Sequence, residues 1–373
     1  MGGRDYKGHM SKIKVSNMIY PILIGLGVVG YMLYREFDPD VFSVLHFTWK
    51  SVLWIFIAFL FMFGRDIGYI IRIRILSDNK LTWMQAFRVI MLWEFTSAIT
   101  PSAIGGTSFA IIYVHKEGIS VGKSSAIVLL TSFFDELYFI VMFPLVTLLV
   151  GKSVLFDVSA AVGDTFAMGL LGIALTGYFL KLIYTLFVSY GLFINPKGLK
   201  WILLKVFRIR FLRKWYRSAV KTGDDIIASS KEIKTKKLGF WVKAVSASFL
   251  SWSSRYLVVN AILLGFFVFG DHLLLFARQL VMWIMMLIMP TPGGSGFSEF
   301  LFKEYLSDFI PVDVSLQFGV AALLALLWRL ITYYPYLIIG AVIFPRWLKR
   351  NFGAEARASW KKPEAVEEES GNN

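Results

Sequence analysis

Long apolar runs separated by short polar stretches divide this chain. A helix needs about 20 apolar residues to cross a bilayer, and six runs reach that length: roughly 16–35, 47–71, 121–150, 165–192, 240–269 and 314–344. Two further apolar regions, about 81–115 and 273–303, are each interrupted near the middle. The first break is Thr100-Pro101-Ser102-Ala103-Ile104-Gly105-Gly106 and the second is Thr291-Pro292-Gly293-Gly294. Pro and paired Gly break helices, and broken backbone persists at membrane depth only where it is buried in protein or lines a wet cavity. Two such breaks in corresponding halves, about 190 residues apart, point to the binding site of a transporter-like protein.

The polar stretches orient these runs. Lys/Arg excess in short loops marks the cytoplasmic side. The largest basic block, 197–243, holds fourteen Lys/Arg against Asp224, Asp225 and Glu232, and smaller basic ends are Lys12/Lys14, Arg72/Arg74/Lys80 and Arg346/Lys349/Arg350. If both broken regions were ordinary spans, 197–243 would fall outside, against the charge rule. If each is a re-entrant hairpin, the basic ends and both termini are cytoplasmic, and the two hairpins enter from opposite sides. The expected fold is therefore an all-α integral membrane protein with about six full spans plus two re-entrant helical hairpins in an inverted repeat. Residues 1–15 read as an expression tag with a cytoplasmic N-terminus, the native start being Met10. Residues 16–350 form the membrane domain, with a basic cytoplasmic segment at 195–239, and 351–373, with Glu367-Glu368-Glu369, read as a disordered tail. The segment 199–217, LKWILLKVFRIRFLRKWYR, reads either as a helix lying in the cytoplasmic interface or as a solvated linker.

Composition agrees with this. The chain of 373 residues is 57% hydrophobic and 17% charged, with a mean hydropathy of +0.63, whereas soluble domains carry about 25% charged residues. Cysteine is absent, so disulfides, thiolate metal sites and Cys nucleophiles are excluded. The four histidines are scattered without zinc-site spacing. No metal, cofactor or catalytic residue is expected. The net charge of +14 is explained by topology, so no nucleic-acid partner is expected.

Charges inside the spans carry the candidate chemistry, because they are expensive there. Asp135 and Glu136 fall mid-run in 121–150, Arg255 in 240–269 and Arg329 in 314–344; Glu94 and Arg278 precede the two breaks, and Glu299 follows the second with Lys303 four residues on. They either pair to hold the bundle together or face a charged ligand. Glu299 also suits the first turn of a half-helix, where an acid complements the dipole. Thr100-Pro101 and Thr291-Pro292 place a helix-capping residue ahead of a Pro suited to the first helical position. Helix N-termini with glycines bind anions, and Ser295 adds a hydroxyl. The candidate substrate-binding set is thus Arg255, Arg278, Arg329, Glu94, Asp135, Glu136, Glu299, Pro101, Gly105, Gly106, Pro292, Gly293, Gly294 and Ser295, suited to a phosphate group near the bilayer midplane.

At these residues the chain resembles the membrane domain of lysylphosphatidylglycerol synthases, a flippase-like family of bacterial and archaeal membrane proteins. The resemblance lies in TPSAIGG with Glu117-Gly118-Ile119-Ser120, the hydrophobic run ending at Asp135, PTPGGSGFSE (290–299), and the Leu-Trp-Arg329-Leu run. It covers roughly residues 15–350. Where the family often shows an Arg three residues before the Asp, this chain has Ser132. The resemblance implies re-entrant hairpins and translocation of a phospholipid between leaflets. Bifunctional members carry a C-terminal aminoacyl-transferase domain, which about thirty residues after the last span cannot form, so synthase activity is not expected. The expected function is a phospholipid flippase or scramblase, multi-pass in the bacterial cytoplasmic membrane, with a membrane phospholipid as its partner. The alternatives are an accessory subunit of a lipid- or glycan-modifying enzyme docked at the cytoplasmic face, or an intramembrane lipid-modifying transferase with Asp135 or Glu299 as general base. A homodimer is a further option. No G-x-x-x-x-G-K-[ST] phrase is present, so ATP is not expected to drive transport directly.

Overall fold

The computed structural model describes residue 34 and residues 44–100, 102–157, 164–209, 213, 216–287, 291, 294 and 296–360, and these are helical throughout apart from turns and short connections. The expected run 16–35 falls outside the described residues apart from residue 34.

α1 (Trp49–Leu76) starts at a reciprocal cap, in which Thr48 Oγ1 accepts from Ser51 N at 3.4 Å and Ser51 Oγ accepts from Thr48 N at 3.2 Å. α2 (Trp83–Ile99) starts the same way with Thr82 and Gln85, at 3.3 and 2.9 Å. Between them Asp78 and Asn79 take left-handed φ of 56° and 58°, conformations that short polar side chains tolerate in tight turns. α2 ends at an extended Thr100, and α3 (Ser102–Lys116) runs back along it. A Cβ on Gly106 would run into the Ser97 side chain and lie 3.1 Å from its Cα, so only glycine lets the two legs approach this closely. Arg88 and Glu117 close the open end of this hairpin with a 2.7 Å ion pair.

α4 (Val121–Val150), capped by Ser120, leads through the single turn α5 (Lys152–Leu155) to α6 (Asp164–Ser189), which finishes in a π turn at Tyr190–Ile194. The expected interfacial segment 199–217 is divided: α7 (Pro196–Val206) starts at an Asn195 cap with Pro196 in the first turn, and a separate α8 (Tyr216–Lys234) packs on α7 and α4. α9 (Leu238–Phe266), α10 (His272–Met286), α11 (Phe297–Leu306) with a 3-10 turn at Ser307–Phe309, α12 (Val314–Thr332) and α13 (Tyr334–Trp360) complete the described chain. The expected span 314–344 lies within one apolar stretch, Val314–Asn351, whose helix is interrupted locally at Tyr333, next to the turn containing Pro335, which lacks an N–H for the helical ladder. α13 continues past residue 351, where a disordered tail was expected, to Trp360.

Among the described residues, five stretches are long and apolar enough to cross a membrane: Trp49–Leu76, Val121–Val150, Met168–Ile194, Leu238–Phe266 and Val314–Asn351. At the centre α1 and α9 run antiparallel along their whole lengths. Ser51 Oγ donates to the Gly265 carbonyl at 2.8 Å at one end, and Ser251 Oγ donates to the Arg65 carbonyl at 2.8 Å further along. A Cβ on Gly68 would run into Ser251 Oγ and sit 2.8 Å from the Ala247 carbonyl oxygen, so small residues set this seam.

α10 and α11 form a second hairpin, with Arg278 Nη1 donating to the Tyr305 carbonyl at 3.1 Å near its open end and Met286 against Gly294 near its tip. The two hairpins open at opposite ends of α4. The first opens beside Lys116 and the start of α4, where Arg350 also reaches Glu117 at 2.9 Å. The second opens beside α5, where Arg278 Nη2 donates to the Val154 carbonyl at 3.3 Å. The order long helix, hairpin, long helix therefore recurs, as α1 to α4 and as α9 to α12.

Candidate functional site

The tips of both hairpins meet at one cavity of about 320 Å³ in the middle of the bundle. Ser97, Thr100 and Thr107 line it from the first hairpin, and Met286, Thr291 and Gly294 from the second. Gly294 takes a φ of +69°, a conformation open to glycine at little cost. The remaining wall is strongly charged and aromatic.

Three cations on its wall, Arg65, Arg72 and Lys181, come from the first half of the chain and hold four carboxylates. Arg65 on α1, 1% exposed, reaches Glu94 on α2 at 2.6 Å and Asp66 at 2.8 Å. Tyr336 on α13 donates its hydroxyl to both oxygens of Asp66, at 3.0 and 2.9 Å. Arg72, also on α1, grips Asp135 on α4 with two parallel bonds of 2.6 and 3.1 Å, and Trp252 Nε1 on α9 donates to the same carboxylate at 2.7 Å. Lys181 on α6 donates to both oxygens of Glu136, at 3.1 and 2.8 Å.

The second half contributes one buried pair. Arg329 Nε on α12 donates to Glu299 Oε1 at 2.8 Å, with both side chains almost fully buried. Glu299 Oε2 accepts from Gly296 N at 2.8 Å and Ser298 Oγ at 2.7 Å, and Arg329 also bonds Ser298 Oγ. Glu299 thereby caps α11 from its third position, the dipole role open to it from the sequence. Lys303, four residues on, meets Glu304 at 3.4 Å rather than Glu299.

Arg255 on α9 is different. Its guanidinium carbon lies 3.9 Å from the Trp283 ring centroid and 5.8 Å from that of Trp252, and no carboxylate lies within ion-pairing distance among the described residues. Cation–π contact holds the group over the Trp283 ring at the cavity wall, and its N–H groups make no hydrogen bond among the described residues. Three further polar atoms of lining residues, Arg65 Nε, Thr131 Oγ1 and Thr291 Oγ1, have no hydrogen-bond partner among the described residues. Buried polar atoms are ordinarily satisfied, so these three and Arg255 together suit a ligand with several acceptor oxygens.

Of the residues expected from the sequence, Arg255, Arg329, Glu94, Asp135, Glu136 and Gly294 line this cavity, and Glu299 stands behind Arg329. Gly106 serves the approach of α3 to α2, and Gly105 lies within α3. Pro101, Pro292, Gly293 and Ser295 fall outside the described residues. Arg278 is not in the cavity: it pairs with Asp308 at 3.0 Å and bonds the carbonyls of Tyr305, Val154 and Asp157, fastening the open end of the second hairpin. Thr100 does not cap α3; its hydroxyl donates back to the Thr96 carbonyl of α2. Four residues were missed. Arg65, Asp66 and Lys181 sit in apolar runs and meet the same criterion that singles out Asp135. Arg72 reads as a basic flank in the sequence but is 2% exposed and faces inward. It supplies from another helix the guanidinium that Ser132 does not, while Ser132 itself bonds the Tyr184 hydroxyl at 3.0 Å.

The sequence profile of the lysylphosphatidylglycerol synthase TM region matches residues 18–340, so the chain belongs to that family. It is similar to a UPF0104 membrane protein of Archaeoglobus fulgidus, 25% identical over 329 residues, which cover 86% of this chain and 94% of the relative. No solved structure matches the chain.

Proposed function

We propose that this multi-pass member of the lysylphosphatidylglycerol synthase membrane family moves a phosphate-bearing lipid between the leaflets of the cytoplasmic membrane. Arg255 carries the reading: a cavity cation with no carboxylate within ion-pairing distance among the described residues, packed over the Trp283 ring beside two helix breaks. The head group enters the cavity while its acyl tails remain in the bilayer, and the phosphate takes the free edge of Arg255 with Thr131 and Thr291 as further donors. The two hairpins are re-entrant, and the repeated helix order with the antiparallel α1–α9 seam supports an inverted repeat, the architecture that permits alternating access about a fixed midplane site. The basic ends of α1, α9 and α13 and the basic α7–α8 segment lie on one face, and the charge rule supports a cytoplasmic placement of that face.

Each cavity carboxylate is held by a cation, which suits charge balance better than general-base chemistry, so transport is favoured over group transfer. Liposomes carrying head-group-labelled lipids test the proposal. Adding purified protein should accelerate leaflet exchange of a phospholipid, and Arg255→Ala should remove most of the acceleration. Unchanged exchange across several phospholipid head groups would overturn it.

A further inference from the structure

Arg72 and Arg74 lie two residues apart on α1, about 200° around a helix of 3.6 residues per turn, so they leave it on nearly opposite sides. Arg72 turns inward to Asp135. Arg74 turns outward, where a second hollow of about 680 Å³ opens between the end of α1, the α1–α2 turn and the start of α9. Its floor is apolar, with Ile71 and Ile75 from α1 facing Val242 and Leu250 from α9. Val242 and Leu250 are exposed, so the hollow opens to the outside of the bundle.

The rim is basic. The Arg74 guanidinium carbon lies 4.0 Å from the Trp83 ring centroid, and its Nε donates to the Leu81 carbonyl at 3.1 Å. These contacts orient the guanidinium, yet neither partner carries a negative charge, and Nη1 and Nη2 make no hydrogen bond among the described residues. Lys243 on α9 is exposed and has no carboxylate partner among the described residues either. Asp78 also borders the hollow, but Lys236 and Lys123 already hold it at 2.6 and 3.1 Å. Two unmatched cations therefore stand over an apolar floor. Trp83, 57% exposed, marks this level as that of the head groups, because tryptophan concentrates where hydrocarbon meets water.

We propose that this hollow binds one anionic phospholipid of the leaflet at the basic ends of α1 and α9. Its phosphate sits between Arg74 and Lys243, and an acyl chain lies along the α1–α9 seam over Ile71, Ile75 and Leu250. Charge decides the class, since a zwitterionic lipid brings a further cation to a rim that already carries two. Basic pockets between membrane helices at this level suit anionic head groups. The hollow shares no lining residue with the central cavity among the described residues, and the proposal does not depend on transport. Because the lipid touches both helices of the central seam, its binding stabilises the folded protein by mass action.

Thermal unfolding of the full chain in detergent tests this, with short-chain phosphatidylmethanol (anionic) and short-chain phosphatidylcholine (zwitterionic) as probes. The titrations are made in Arg255→Gln, so that binding in the central cavity adds little to the signal. Phosphatidylmethanol should raise the unfolding temperature to a plateau, and phosphatidylcholine at the same concentrations should not. Adding Lys243→Gln should weaken the apparent affinity for phosphatidylmethanol about fivefold, and adding Arg74→Gln should weaken it by a similar factor again. Lys243 is exposed and unpaired, so its variant keeps the test open even if Arg74→Gln does not fold. An equal rise with both lipids, an equal rise with inorganic phosphate, or unchanged affinity in Lys243→Gln would overturn the site. Failure of leaflet exchange would remove the transport reading and leave this one standing.

Discussion

Arg72 and Asp135, 63 positions apart in sequence, meet in a two-bond guanidinium–carboxylate pair at 2.6 and 3.1 Å that ties α1 to α4 beside the cavity. Arg72 also donates to Ser248 Oγ on α9 at 2.9 Å, so one side chain joins three helices.

Removing either member of that pair should be severe. Deleting one partner of a buried pair leaves an uncompensated charge and costs about 3–5 kcal/mol. Arg72→Met and Asp135→Leu are each expected to lower the thermal unfolding midpoint in detergent, and the double variant should recover part of the loss. An additive double variant would mean the two side chains are not energetically coupled.

The α1–α9 seam makes a steric prediction. Gly68→Ala places a methyl group against Ser251 and the Ala247 carbonyl, and overpacking of a tight contact costs about 1–3 kcal/mol. Gly172 on α6 has open space at its Cβ position, so Gly172→Ala is the matched control. Thermal unfolding should separate the two clearly, with only Gly68→Ala destabilised.

Arg255 should resist conservative replacement. Arg255→Lys keeps the charge but loses the planar group stacked on Trp283 and its fixed fork of donors. Leaflet exchange is therefore expected to fall about tenfold or more in Arg255→Lys, with little change in unfolding temperature. Trp283→Leu should weaken exchange in the same direction by releasing the guanidinium.

At the basic end, Asp78 in the α1–α2 turn accepts from Lys236 at 2.6 Å and Lys123 at 3.1 Å, joining the α8–α9 connection and α4 to the loop. Burial raises the Asp78 carboxyl, but the hydrogen bonds from Lys236 and Lys123 outweigh it and hold it below the ordinary aspartate value. The group is thus charged in both folded and unfolded states at neutral pH. Its stabilising contribution is fully present above the ordinary aspartate value of about 3.9, and fades as pH falls from there through the lower folded value. Asp78→Asn should lower the unfolding temperature at pH 7, and the gap to wild type should shrink progressively below pH 4. A gap that is unchanged at pH 3 would exclude this role.

Much of this protein is legible without coordinates. The lengths of the apolar runs determine which helices can cross a membrane, Thr82 with Gln85 determines where α2 starts, and the two Pro/Gly phrases mark where the chain must turn back, all because these effects act within a few residues. Intramembrane charge likewise marks Glu94, Asp135, Arg255 and Arg329 as members of a shared polar site, since none of them can face lipid cheaply. What only the tertiary structure decided is who meets whom. Arg278 and Arg255 look equivalent in sequence, yet one fastens the open end of a hairpin and the other stands free against Trp283. Arg72 looks like a cytoplasmic flank, yet it turns inward to Asp135. The physical reason is that a helix presents a new direction every 100° along its axis, so partner choice depends on how each helix is rotated and which neighbour lies across from it. Gly68, Ser251 and the other small residues of the α1–α9 seam set that rotation through contacts almost two hundred residues apart, and no local pattern encodes it.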